Sequence, residues 1–449
     1  MNLENRELME KLLDRAKKAG ADGADVVFSS GKSLSMSAQE GDIDTYKVSG
    51  SKIAGIRVIK NNKVGISYTE AFDDEALSDT AKKAVENSSF GEENEFETID
   101  NYIEDDLVHM GEVEQAAQED ISTEEKIATC LKLESEVKSK DERVKGVPYN
   151  GLSEASVEGY YLNSLGAFCY DFEHYVSAYT SSLVKEGDKS SMYYHGTIGK
   201  HFNQLDWRKC VEESFQHSIN WLKAEPLKTG SYDVIFSSDE FQSLFGAFRG
   251  VFSAKKAQEK SHPLIDKLGK TLATEELTIV DSPMYEKSFF KSPFDSEGYV
   301  RKDVTLVENG VFKNLLHNSA TSKYFGIENT CRAARSAKSA LGVGGTTTVI
   351  QPGKKSDKAL KEGEYFEVYQ MQGLHSGLNF MSGDFSFGAS GYLCKNGERI
   401  RPINGVTVAG NFYKMLNEVA GIGDEILSSS GKDFFSPLIR FSSLKVAGN

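Results

Sequence analysis

The chain has 449 residues, with 52 Lys and Arg against 67 Asp and Glu, a formal charge of −15 at pH 7. Its 26 Phe, 19 Tyr and 39% hydrophobic content exclude a disordered chain, and its length leaves room for two or three domains. An acidic balance supplies no global positive field for phosphate backbones, which argues against nucleic acid as a partner.

Met1 to Gly20 sets Leu8, Met9, Leu12, Leu13, Ala16 and Ala19 at helical spacing among charges, with Gly20 as a C-terminal stop. This predicts an amphipathic helix rather than a signal peptide, because no uninterrupted apolar core is present. No window reaches the roughly 18–20 apolar residues of a membrane span, so no membrane is expected. The five cysteines, Cys130, Cys169, Cys210, Cys331 and Cys394, are scattered without a C-x-x-C pair and read as reduced thiols of a cytoplasmic protein.

Asp25–Ser30 and Ser33–Ala38 read as two short strands, and Lys52–Lys60 with Lys63–Tyr68 as a hairpin turning at Asn61-Asn62. Asp73 or Asp74 caps a helix bearing Leu77, Ala81, Ala84 and Val85, which closes an α+β unit over residues 1–90. From Ala84 to Glu125 there are 15 acids and no Lys or Arg, so this stretch holds the whole net charge. The stretch reads as a solvated inter-domain connection, assigned to residues 91–121, or as an acidic docking arm, and its Phe90, Phe96, Ile99, Tyr102, Ile103, Leu107 and Val108 are expected to pack at intervals on a neighbour.

Ser122-Thr123-Glu124-Glu125 is a capping box ahead of a helix with Ile127, Leu131, Glu134 and Val137. It opens a middle α+β unit over residues 122–225, in which residues 143–198 alternate like antiparallel strands around a turn at Asn163–Gly166 and Asp206–Lys223 returns to helical spacing. Ala224-Glu225-Pro226 with Thr229-Gly230 marks the clearest boundary. Residues 226–449 then read as a larger, mainly antiparallel β domain. It starts with a strand at Tyr232–Phe236 and a helix capped by Ser237-Ser238-Asp239 that runs to Phe252, and has type I′ turns at Asn309-Gly310 and Asn396-Gly397. The fold class is therefore α+β.

Generic catalytic motifs are absent. None of the eight histidines is followed by Glu and no two lie four or five apart, so no zinc-peptidase helix is present; His195 and His201 are the closest pair. There is no phosphate-binding loop, and Gly388-Ala389-Ser390-Gly391 misses the spacing of a nucleophile elbow. Two polar clusters remain. Ser292-Pro293-Phe294-Asp295-Ser296-Glu297-Gly298 puts two carboxylates in a Pro- and Gly-bounded loop, which reads either as a cation-binding or cleft-lining segment or as a self-satisfied turn. Ser382–Gly391, with Gly383, Asp384, Ser386 and Gly388, reads as a strand whose backbone another chain approaches closely, or as an ordinary glycine-rich core strand.

These two clusters, together with Leu306–Phe312, Asn396-Gly397-Glu398, Val408–Asn411, Ala19–Ala21 and Asn163–Gly166, resemble the TldD/PmbA family in order and spacing, in its PmbA (TldE) branch. The resemblance implies a cytosolic proteolytic assembly that degrades unfolded peptides, in which a TldD subunit carries zinc on a His-Glu-x-x-x-His helix completed by a C-terminal cysteine. The corresponding helix here, Asp239–Phe252, has no His, and no Cys follows Cys394. No catalytic or metal residue is therefore carried over, and the chain is expected to bind no cofactor itself. It is expected to pair with a zinc-bearing TldD-type subunit, or to form a homodimer when alone, and to contribute cavity wall and dimer surface. Ser292, Phe294, Asp295, Glu297, Gly298, Gly383, Asp384, Ser386 and Gly388 are the candidate cavity or interface residues. Two other readings stay open: an interaction protein modulating DNA gyrase or a toxin system, and a stand-alone hydrolase with an unrecognised site.

Overall fold

The computed structural model describes residues 3–100 and 121–448; Tyr102, Ile103, Leu107 and Val108 of the acidic connection lie outside the described residues. Within the described part, Phe96 stacks edge-on against Tyr324 at 5.5 Å and Ile99 covers Gly23, whereas Phe90 is 87% exposed. Helix α1 spans Leu3–Lys18 and ends before Gly20, whose φ of +93° suits a residue without a Cβ. Helix α2 (Asp74–Ser88) is capped by Asp73, which accepts the Ala76 N–H at 2.9 Å. Helix α3 (Thr123–Ser139) carries the predicted capping box between Ser122 and Glu125. Helix α4 (Trp207–Trp221) starts from Asp206.

Strands β1 (Gly23–Gln39), β2 (Asp42–Lys60), β3 (Lys63–Thr69), β4 (Val144–Gly146), β5 (Asn150–Asn163), β6 (Phe168–Glu186) and β7 (Lys189–Gly199) form one seven-stranded antiparallel sheet. The two short strands expected from Asp25 to Ala38 are one: Gly31, which reads as a break, is paired with Ser51 on one side and Val157 on the other. Two flanking ladders outweigh the weak propensity of Gly-Lys in isolation. The hairpin strand expected from Lys52 likewise begins ten residues earlier, at Asp42, because β1 pairs with it throughout. Asn61 and Asn62, at φ 52° and 58°, make the predicted turn.

The β1–β5 ladder joins the first and middle units across Asp25↔Asn163 to Ser37↔Gly151. All four helices lie on one face of this sheet. Met9, Leu12, Leu77 and Ala81 meet Val26, Phe28 and Tyr160 at one end, while Leu133, Val137 and Val211 meet Val176 and Ala178 at the other. The opposite face, through Val27, Tyr161 and Cys169, turns to Phe294 of the C-terminal unit.

That unit contains β8 (Gly230–Phe236), β9 (Ile279–Asp281), β10 (Val304–Glu308), β11 (Val311–Phe312), β12 (Ala333–Ala334), β13 (Gly342–Val343), β14 (Thr348–Ile350), β15 (Glu364–Gln372), β16 (Asp384–Lys395), β17 (Glu398–Asn411), β18 (Val419–Ile422), β19 (Leu427–Ser428), β20 (Phe434–Ser436) and β21 (Ile439–Ala447). Six of these run β17-β16-β15-β8-β21-β18, and pairing of β17 with β21 closes the sheet on itself. A second sheet runs β11-β10-β9-β14-β20-β19. One aromatic-rich core, including Phe236, Phe366, Phe387, Phe434 and Phe441, fills the space between them. Helix α5 (Ser238–Phe248) buries Phe241, Leu244, Phe245 and Phe248 in this core, and the last turn of its predicted length, Arg249–Phe252, is a tighter 3-10 turn. With 42% strand and 24% helix the molecule is α+β.

Candidate functional site

The Ser292–Gly298 loop is one of the places where the C-terminal unit is bolted to the N-terminal sheet. Asp295 is buried and accepts the backbone N–H groups of Glu297 (2.9 Å), Tyr299 (3.0 Å) and Ala333 (3.0 Å). Burial pushes its pKa up, while Arg301 and these N–H donors oppose the rise. Glu297 accepts the Ser319 N–H at 2.9 Å and the Ser319 hydroxyl, and its Oε1 stands 3.7 Å from Arg57 of β2. Burial raises this carboxyl too, against the pull of Arg57. Gly298 has φ +83°, and a Cβ there would lie 2.7 Å from the Tyr161 ring, so the close approach of loop to sheet requires glycine.

Arg57 is the hub of this seam. Its guanidinium donates to Asp25 Oδ2 at 2.9 and 2.6 Å and to Glu97 Oε2 at 2.9 Å, and Arg335 from the C-terminal unit also binds Asp25. Burial works against the charge on Arg57, but Asp25, Glu297 and Glu97 together hold it protonated. The carboxylates of the loop are therefore committed to protein partners, which is the self-satisfied alternative. Ser292, Phe294 and Asp295 also line a cavity of about 540 Å³ with Phe28, Tyr160 and Asp171. Ser292 accepts from Arg301, while Glu297 and Gly298 lie in the seam itself.

The second cluster lies elsewhere, and the 540 Å³ cavity takes no residue from it. Phe385, Phe387 and Ala389 of β16 point into the core, while Asp384 and Ser386 are exposed and Gly388 half-buried. Asp384 accepts from Asn411 Nδ2 at 2.7 Å, the main reason its pKa falls. Gly383, at φ +83°, sits where a Cβ would strike the Tyr413 ring. Further along, the close approach at Gly391 comes from within this chain, where a Cβ would collide with the Glu367 carbonyl of β15, as in a glycine-rich core strand.

A larger cavity of about 800 Å³ separates the middle and C-terminal units and was not anticipated from the sequence. Its walls are β7 (Tyr193, His195, Gly196, Ile198), the first half of α4 (Lys209, Glu213), the start of α5 (Ser237, Asp239), Glu367 and Tyr369 of β15, and β19. Behind the wall, the His217 ring packs at a tilt against Tyr193 and Tyr369, with centroids 4.5 Å away in each case, its Nδ1 2.9 Å from the Tyr392 hydroxyl and its Nε2 3.1 Å from Glu213. Burial pushes Glu240 up to about 8, helped by Asp239 and opposed by the Met371 N–H at 3.0 Å. Burial lowers His195, which favours its neutral form. The i,i+4 spacing of Glu213 and His217 was the available signal, but what they face is decided by β15 and β16, far along the chain.

Ser156 Oγ lies 2.8 Å from His174 Nδ1, and Glu154 lies 3.9 Å from Nε2, so a serine, a histidine and a carboxylate do meet. Ser156 sits mid-strand between β1 and β6, where both ladders engage the backbone, so no pair of free N–H groups is positioned as an oxyanion hole. Among the described residues no three His, Cys, Asp or Glu side chains converge to hold a metal ion. Helix α5 carries no histidine, so its residues do not fit the zinc centre of a His-Glu-x-x-x-His helix.

Family models match three parts of the chain: PmbA/TldA metallopeptidase domain 1 over residues 24–88, the central domain over 117–216 and the C-terminal domain over 229–448. Metalloprotease PmbA of Escherichia coli O157:H7 is 25% identical over 99% of this chain and 97% of its own length. A PmbA homologue of Haemophilus influenzae is 26% identical over 99% and 96%. The crystal structure of TldE from Thermococcus kodakarensis superposes with a TM-score of 0.83 at 21% identity, covering 98% of this chain and 100% of that one. A proposed modulator of DNA gyrase from Thermotoga maritima gives 0.83 at 24%, with the same coverage. At these identities the structures establish the fold.

Proposed function

The chain belongs to the PmbA/TldD metallopeptidase family, and on that premise we propose that it is the PmbA/TldE-type subunit of a cytoplasmic peptidase complex. A TldD-type partner supplies the zinc and the catalytic residues, and this chain supplies cavity wall and subunit surface for unfolded peptides. The observation that carries this reading is the composition of α5. Its core face is Phe241, Leu244, Phe245 and Phe248, and none of its other positions offers an imidazole or thiolate for zinc. Fold shared with a peptidase does not by itself carry the chemistry, and on this reading the chain keeps the binding architecture while its partner holds the metal.

The test combines the purified chain with a zinc-bearing TldD-type homologue. Light scattering after size exclusion is expected to show a homodimer for the chain alone and a heterodimer on mixing. Chelator-sensitive cleavage of an unfolded peptide is expected only in the mixture. Zinc-dependent cleavage by the chain alone, or no association with a TldD-type subunit, overturns the reading.

A further inference from the structure

The 540 Å³ cavity beside the Ser292–Gly298 loop shares no lining residue with the 800 Å³ cavity. Its walls hold a carboxylate and a guanidinium that the Arg57 network does not consume, Asp171 of β6 and Arg301. Ser336 and Lys338, which also line it, are exposed, so the cavity opens to solvent.

Asp171 accepts the N–H of its own neighbour Phe172 at 2.9 Å, and among the described residues it has no ion-pair partner. Burial pushes its pKa up, opposed by that N–H and by the charges of Lys200 and Arg301. Arg301 is fixed by two of its five N–H groups: Nη1 donates to the Ser292 hydroxyl and Nη2 to the Ala333 carbonyl at 3.2 Å, while Nε has no partner. Asp295 attracts this guanidinium, but its carboxylate is already committed to three backbone N–H groups. A half-buried charge without a counter-ion is costly, and the two on this cavity are of opposite sign without being in contact. The rest of the lining includes Tyr161 and the half-buried, apolar Val27, Ile53 and Phe294.

We propose that this cavity binds a small zwitterion with an apolar side chain, a free amino acid or a dipeptide, whose ammonium pairs with Asp171 and whose carboxylate takes the remaining N–H groups of Arg301. The planar fork of an arginine matches a carboxylate in two parallel hydrogen bonds, and an ammonium supplies the donors that Asp171 lacks. The apolar side chain packs on Val27, Ile53 and Phe294. One ligand thereby answers both unpaired charges and fills the apolar remainder. The site is independent of the subunit reading, since neither wall depends on a partner chain.

The test is isothermal titration calorimetry of the full chain with leucine and with leucyl-leucine, followed by the N-acetylated and the C-amidated form of whichever binds tighter. Expected are binding of at least one zwitterion and roughly tenfold or greater weakening in each blocked form, the loss of one charged hydrogen-bonded pair. Tighter binding of leucine assigns a single amino acid, and of leucyl-leucine a dipeptide. Asp171→Asn keeps an acceptor for the Phe172 N–H. It should weaken the zwitterion by a similar factor and leave the N-acetylated form unchanged, while Arg301→Gln should spare the amidated form in the same way. No binding of either zwitterion, a blocked form that binds as well as its parent, or unchanged zwitterion binding in Asp171→Asn overturns the inference. The blocked ligands probe the parent chain, so they decide the matter even where a variant fails to fold.

Discussion

Arg57 shows why single residues in the seam matter. It is buried with Asp25, Glu97 and Glu297 around it, so Arg57→Met would leave three carboxylates in low dielectric without their common cation. A loss of roughly 3–5 kcal/mol in urea unfolding is expected. Glu240 gives a pH signature. Its folded pKa of about 8 lies above the ordinary 4.5, so between these values the folded state holds a proton that the unfolded state has released. Stability from this group therefore falls as pH rises through that window, and the cost is complete above about 8. Glu240→Gln keeps an acceptor for the Met371 N–H and removes the ionisation. The variant should match the parent near pH 4 and exceed it above pH 8 by on the order of 2–4 kcal/mol, read from urea midpoints across pH. Ser292 to Gly298 were legible as a special loop from residue type alone. Arg57 and Asp25 were not, because the partners that tie them to the C-terminal unit, Glu297 and Arg335, come from more than two hundred residues away.

At the scale of elements, local rules worked where an element is decided by its own residues. The box at Ser122 and Glu125 is present, and Ser122→Ala should cost about 1 kcal/mol, seen in thermal unfolding. Turns at Asn61-Asn62, Asn309-Gly310 and Asn396-Gly397 take the expected positive φ. Local rules failed for β1 and β2, whose length is decided by ladders with partners rather than by propensity. Gly391 is the reverse case, since its glycine was noticed but the reason lies in β15. Gly391→Ala would force a Cβ into the Glu367 carbonyl and part the β15–β16 ladder. Loss of amide protection in hydrogen exchange along β15 is expected, with wild-type protection remaining in β1 and β5.

At the scale of the whole molecule, one sheet spans the first and middle units and two seams tie it to the C-terminal unit. The Arg57 network is one, and Trp221, whose Nε1 donates to the Gly391 carbonyl at 3.3 Å, marks the other. Units joined this way should unfold together, with Trp fluorescence and far-ultraviolet circular dichroism giving coincident transitions. Asp25→Ala removes the shared anion of Arg57 and Arg335 and should separate the two transitions. Coincidence in that variant would mean that the seam does not couple the units.

The sequence by itself determined the α+β class, the caps and turns, the family resemblance and the lack of histidine on α5, because each depends on residue type at short spacing. Tertiary structure alone decided that the Ser292–Gly298 carboxylates are committed to a seam, that the two polar clusters lie apart, and that β7 and β19 open onto one cavity. Those are statements about which distant surfaces meet, and no local pattern of side chains encodes which sheet edge is left without a neighbour.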